Sequence, residues 1–231
     1  MLLEGAHVLQ AAIEARVPIE VVITDGRHAD LAREAVRAGA APYEAGPRVF
    51  DAVSPVQSPT GVVAIGRWRP MPAERLLAGG PGRTVGLVGV QDPGNVGSVI
   101  RTADALGAAG VVCFEGSAHP SGYKALRGAM GSTFRVPVAT GRLADVLPEA
   151  RQRGVRIAAT VAHGGEPPSA AALAPDVIIL LGSEGAGLTA PLAAEADVRI
   201  SVPMRPGVDS LNVAVTAALL LWEATASRRA S

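Results

Sequence analysis

Three glycine-bearing loops hold most of the residues in this chain whose types and spacing could do chemistry. In QDPGNVGSVIR (residues 91–101), Asn95 stands six residues before Arg101. In GSEGAGL (182–188), Glu184 lies among Gly182, Gly185 and Gly187, directly after the apolar run VIILL. In ISVPMRPGVDSLNV (200–213), a short strand and a Pro-Met turn lead to Ser210, Leu211 and Asn212, where a long apolar helix begins. Glycine at a strand end lets main-chain amides and carbonyls come close to a ligand. Loops of this kind, brought together by a fold, make a pocket walled by main chain. Among the charged side chains these loops carry, Arg101 and Glu184 are the candidates for chemistry. An Arg is a planar clamp for phosphate, and its pKa above about 12 makes it a costly free base.

Other readings of these glycines fail on single residues. GVQDPG (89–94) has the glycine spacing of a phosphate-binding P-loop, but Asn95 and Val96 stand where Lys and Ser/Thr belong. Without that Lys nothing reaches the β- and γ-phosphates. Gly185 to Ala190 fits only the loose G-x-G-x-x-A form of the dinucleotide fingerprint. Ser183 is no nucleophile elbow, because Leu181 occupies the first glycine position of G-x-S-x-G. His7, His28, His119 and His163 lack metal-ligand spacing and Cys113 is the single cysteine, so neither a metal nor an internal disulfide is expected.

The elements that must position these loops read as follows. A chain of 231 residues suits one large or two small domains. Apolar residues make up 48% and aromatics 3%, so the core must be Val, Leu, Ile and Ala, as in buried parallel strands under helices. EGAHVLQAAIEAR (4–16) is an amphipathic helix pattern and IEVVIT (19–24) a β-branched strand. ADLAREAVRAG (29–39) is a second helix with Gly39 as its C-cap, and GVVAIGRW (61–68) is another strand. Residues 1–68 therefore form a small α/β module. Pro70, Pro72, Gly79, Gly80, Pro81 and Gly82 mark 69–83 as a linker. From Thr84 onward TVGLVGV, GVVCFE, RVPVA, RIAATVA, VIILLG and VRISV alternate with helical stretches, which predicts a parallel α/β sheet over 84–231. Asn95 reads as the N-cap of the helix after the Pro93-Gly94 turn. Asp209 or Ser210 reads as the cap of the last helix, with Asn212 in its first turn.

Net charge is zero but unevenly spread. Residues 1–68 carry 6 basic and 8 acidic side chains, 69–160 carry 11 and 6, and the remainder 4 and 7. The basic middle suits a phosphate-facing surface. No basic-then-apolar signal segment opens the sequence, and no apolar run reaches bilayer-spanning length. A soluble, cytoplasmic protein without membrane attachment is the expectation.

The three motifs, in this order, resemble those of the SpoU-type RNA ribose 2′-O-methyltransferases, the TrmH family of the SPOUT superfamily. The shared pattern is an Asn six residues before an Arg (Asn95, Arg101), Gly-x-Glu-x-x-Gly (Gly182 to Gly187), and Ser-Leu-Asn-Val opening a helix (Ser210 to Val213). The similarity runs from about Thr84 to the C-terminus, with a weaker echo in residues 1–68. It implies a C-terminal parallel-sheet methyltransferase domain (84–231) with a deep trefoil knot, which ordinary topology rules would not produce. The N-terminal module becomes a small α/β RNA substrate-binding domain.

The same resemblance implies S-adenosyl-L-methionine as cofactor, held by the main chain of Gly182, Val202 and Leu211 with Met204 and Thr160 beside them. It implies Arg101, Asn95, Glu184, Ser210 and Asn212 as the catalytic set. In that set the resemblance makes Arg101 the general base; its high pKa favours instead a clamp on the phosphate next to the target that polarises the 2′-hydroxyl, and both roles stay open. Glu184 holds the site together or reaches Arg101. YKALRGAMGSTFRVP (123–137) resembles a further family stretch and makes Lys124, Arg127 and Arg135 phosphate contacts. The implied partners are RNA, large-subunit ribosomal RNA being favoured over transfer RNA, and a second copy of the chain near the helix after Ser210. Two rivals share the fold. A non-catalytic RNA-binding protein has no reason to keep all five motif residues, and a base methyltransferase is disfavoured by Ser-Leu-Asn.

Overall fold

Continuous apolar runs belong in strands covered on both faces, while shorter mixed runs suit a sheet with a helix layer on one side. The chain sorts into two sheets on that rule. The structure, a computed structural model, describes residues 1–225 apart from 57, 81, 170–172 and 174–175. Pro81 of the expected linker and residues 226–231 of the expected second domain thus lie outside the described residues.

The first sheet has the order β1-β4-β2-β3, with β1 (Leu2–Glu4), β2 (Ile19–Thr24), β3 (Ala41–Glu44) and β4 (Val62–Gly66). Strands β2 and β3 run parallel, and β4 runs antiparallel to both β1 and β2. Helix α1 (Ala6–Glu14) and helix α2 (Ala29–Arg37) place Leu9, Ala12, Leu31 and Ala35 over Leu3, Val22 and Val62. As expected, α2 closes on Gly39, whose φ of +105° only glycine adopts freely. Helix α3 (Pro47–Val53) buries Phe50.

The second sheet has seven parallel strands in the order β11-β9-β10-β6-β7-β8-β5. They are β5 (Met71–Pro72), β6 (Arg83–Leu87), β7 (Gly110–Phe114), β8 (Val138–Gly141), β9 (Arg156–Thr160), β10 (Val177–Leu181) and β11 (Val198–Ile200). Strand β10 shows why they are so apolar. Its Val177, Ile179 and Leu181 pack under α5 (Pro93–Ala105) and α9 (Val213–Ala224) on one face. Ile178 and Leu180 pack on the other face against α4 (Ala73–Leu77) and α7 (Leu143–Gln152). The connections also carry α6 (Tyr123–Ala129), a 3₁₀ turn (Ser132–Phe134) and α8 (Ala190–Ala194).

The expected linker is a correction. Met71 and Pro72 pair with Ala139 and Thr140 as the edge strand β5, and α4 buries Ala73, Leu76 and Leu77. An edge position tolerates the missing N–H of Pro72. Nor are the two modules separate bodies. Leu126 of α6 belongs to the core of the first module, and Trp68 meets Phe134 edge to face, with ring centroids 6.0 Å apart at 88°.

Parallel strands send their following loops to one edge of the sheet, the edge where ligands of α/β folds bind. The segments after β6, β9, β10 and β11 all emerge there, and they carry the sequence motifs.

Candidate active site

The loops after β9, β10 and β11 enclose a cavity of about 300 Å³ with the start of α9, at the small end of the range for cofactor sites. Thr160, Gly182, Val202, Met204 and Leu211, all expected at a cofactor, line it, as do Glu184 and Ser210. Leu181, Leu188, Ile200 and Leu220 give part of its wall an apolar surface. Gly182 has no room for a side chain: a Cβ there would stand 2.1 Å from the carbonyl carbon of Gly187. Ser183, read only as a failed nucleophile, holds this turn. Its carbonyl accepts from Gly187 N at 3.0 Å, and its Oγ accepts from Ala186 N at 3.3 Å. The Thr160 hydroxyl donates to Leu180 O at 2.9 Å, so it ties β9 to β10 while its residue lines the cavity.

A row of three side chains stands beside this wall. Asn212 Oδ1 accepts from Ala214 N at 2.9 Å and Val215 N at 3.3 Å, capping α9. Its Nδ2 is thereby turned outward and donates to Asn95 Oδ1 at 3.0 Å. Asn95 then has only its Nδ2 left, which donates to Glu184 Oε1 at 2.9 Å. The cap fixes which end of each amide is which, so the row has one self-consistent direction.

Three expectations are corrected here. The N-cap of α5 is Asp92, whose Oδ1 accepts from Asn95 N at 2.8 Å, with Pro93 in the first turn. That frees the Asn95 side chain for the row. The cap of α9 is Asn212 itself, not Asp209 or Ser210. Glu184 bonds Asn95 and makes no ion pair with Arg101. The Asp-Pro dipeptide was the signal for the first cap, since proline favours the first helical position. Asp209, also on the cavity wall, was not expected there.

Arg101 is exposed on α5 and forms no ion pair among the described residues. It does not line the cavity. Six residues of helix carry it about 9 Å beyond Asn95 along the axis. The three basic residues expected on RNA differ in their commitments. Lys124 is exposed and Arg127 faces Glu4, while Arg135 donates to Asp104 Oδ2 at 2.8 Å and Ser132 Oγ at 2.9 Å. Arg135 is therefore occupied with holding the 3₁₀ turn to α5. Burial pushes the Cys113 thiol up to about 12, which makes it an inert core residue. Among the described residues no group of three His, Cys, Asp or Glu is placed to hold a metal ion.

A parallel sheet with a glycine-walled cavity at its carboxyl edge and an Asn-Asn-Glu row beside it defines a class, and comparison with known proteins gives it a name. The SpoU rRNA Methylase family matches residues 82–222, and this chain belongs to that family. Among its relatives is the Bacillus subtilis 23S rRNA (guanosine(2553)-2′-O)-methyltransferase RlmP, 34% identical over 96% of this chain and 86% of that protein. An AdoMet-bound rRNA methyltransferase from Sinorhizobium meliloti superposes with a TM-score of 0.84 at 30% identity, over 97% of this chain and 86% of the other. The SpoU methyltransferase AviRb from Streptomyces viridochromogenes, in complex with AdoMet, does so at 0.85 and 26% identity, over 100% and 91%.

Proposed function

We propose that this protein transfers the methyl group of S-adenosylmethionine to a ribose 2′-hydroxyl of large-subunit ribosomal RNA. The observation that carries the reading is the Asn212–Asn95–Glu184 row, three motif residues far apart in sequence, meeting at the lip of the glycine-walled cavity. The cavity fits the cofactor. It offers main chain at Gly182, Val202 and Leu211, apolar walls for a nucleoside, and two carboxylates, Glu184 and Asp209, with no cation for a ligand of net positive charge. When bound, S-adenosylmethionine supplies an electrophilic methyl group on a sulfonium.

The chain's own groups do the rest. The Gly182–Gly187 turn and Leu211 hold the donor through main-chain atoms, with Thr160 and Met204 packed beside it. The row holds Asn212 and Glu184 at one corner, with Ser210 on the cavity wall beside it, which limits the acceptor hydroxyl to one approach. Arg101 clamps the phosphate beside the target nucleotide and polarises the 2′-hydroxyl, whose proton passes to that phosphate and on to water as the oxygen gains the methyl group and the methyl–sulfur bond breaks.

The substrate reading follows the relative named for 23S rRNA, which is similar along nearly the whole chain. A homodimer is supported by an apolar groove along α9, where Leu106, Ala214, Val215, Ala218, Leu219 and Trp222 leave a greasy face half exposed. The trefoil knot rests on membership of the SpoU family. The segment after β9 lies alongside β11, where Glu166 bridges Ile200 in parallel, with Glu166 N donating to Arg199 O at 2.8 Å and Ser201 N donating to Glu166 O at 2.9 Å. A ribosomal RNA substrate places the work in the cytoplasm, and no helix among the described residues is long and apolar enough to cross a membrane. The test is incubation of purified protein with labelled S-adenosylmethionine and deproteinised 23S rRNA, followed by nucleoside analysis. A labelled 2′-O-methyl nucleoside supports the reading, and a labelled base-methylated nucleoside contradicts it.

A further inference from the structure

Arg127 lies on α6, yet the carboxylate it faces belongs to the other module. The Glu4 side chain is 1% exposed, a burial that a charge tolerates only with fixed partners. Its Oε1 accepts from Thr60 Oγ1 at 3.2 Å and from Thr60 N at 3.4 Å. Its Oε2 stands 3.4 Å from Arg127 Nε. Arg127 is 45% exposed, so Glu4 engages only the inner edge of the guanidinium. The two terminal nitrogens have no partner among the described residues.

Lys124, three residues earlier on the same helix, is also exposed, so α6 presents two cations on one face. That helix packs against the catalytic corner. A Cβ on Gly128 would stand 3.1 Å from Gly94 O and 3.3 Å from Gly97 Cα, so α6 rests on the first turns of α5 beside Asn95.

From this geometry we infer that Glu4 is a positioning residue for RNA binding, fixing the inner edge of Arg127 so that its terminal nitrogens project as a fork for an RNA phosphate. The inference rests on the reading of Arg127 as a phosphate contact. A guanidinium already held along one edge has less freedom left to lose when it clamps a phosphate. The first module, with more acidic than basic residues, thereby assists phosphate binding without supplying the cation. The Glu4 charge is spent on Thr60 and Arg127 and reaches no solvent, so it repels little RNA.

The experiment is a double-mutant cycle on the full chain, with an in vitro 23S rRNA transcript as probe and binding measured across salt concentrations. Calorimetry of S-adenosylmethionine binding checks that each variant is folded. Arg127→Ala is expected to weaken RNA binding about tenfold and to lower the salt slope by about one. Glu4→Gln is expected to weaken it about fivefold, the size of one side chain's ordering cost, with the slope unchanged and no further loss in the Arg127→Ala background. Thr60→Val removes the hydroxyl donor while keeping every charge, and its smaller, Arg127-dependent loss gives the same answer where Glu4→Gln does not fold. No effect of Arg127→Ala overturns the phosphate contact and the inference together. Equal losses from Glu4→Gln with and without Arg127 overturn the positioning role alone, as does tighter binding by Glu4→Gln.

Discussion

Asn212 uses one amide for two tasks, capping α9 with its oxygen and supplying Asn95 with its nitrogen. A change of a single group separates them. Asn212→Asp keeps the cap acceptor, but sets a carboxylate oxygen against Asn95 Oδ1. If Asn95 turns its amide to compensate, its oxygen then opposes Glu184. Thermal stability should hold within about 2 °C, because Asp caps as well as Asn, while methyl transfer falls at least about tenfold. Asn212→Ala should lose activity and about 1 kcal/mol of cap stability as well. Full activity in Asn212→Asp would show that the row is incidental. Arg101 belongs to a different part of the site, off the cavity wall. Arg101→Ala should lower turnover about a hundredfold or more and leave cofactor affinity unchanged by calorimetry. Loss of cofactor binding in that variant would make Arg101 a structural residue instead.

At the scale of elements, the turn after β10 separates two glycines that look alike in sequence. A Cβ on Gly182 collides with Gly187, whereas one on Gly185 meets nothing within 4 Å. Gly182→Ala should therefore cost about tenfold or more in S-adenosylmethionine affinity, the scale of a forced overpacking, and Gly185→Ala should bind as wild type. The strands from β6 to β11 were legible because short apolar runs such as VIILL and GVVCF recur between turn signals and helical stretches. Strands β1 and β3 were not. LLE is three residues long, and APYE is exposed along its whole length and contains a proline. Strand β5 and helix α4 hid for a related reason. Two and five residues fall below any periodicity window, and the prolines and glycines around them read as a tether. The site residues were legible through the resemblance of their motifs, but their bonding was not. The partners of Asn95 lie 89 and 117 residues away, and no local pattern says which amide faces which.

At the scale of the whole molecule, the two sheets share a seam rather than a tether. Leu126, Trp68 and Phe134 pack across it, and a Cβ on Gly131 would stand 2.5 Å from Ala11 Cβ. The full chain should accordingly melt in one calorimetric transition, and two separate transitions would show independent modules. Deleting residues 1–68 should retain cofactor binding, because the cavity is built from residues 160–220. It should lower the melting temperature of what remains, because Leu126 becomes exposed. The most direct measurement changes one group of the substrate. A 23S rRNA fragment with a 2′-deoxy nucleotide at the methylated position keeps every phosphate and every base. It should bind within about twofold of the unmodified fragment, because phosphates dominate affinity, and should accept no labelled methyl group at that nucleotide. Labelled methyl found there would contradict ribose transfer and move the acceptor to the base.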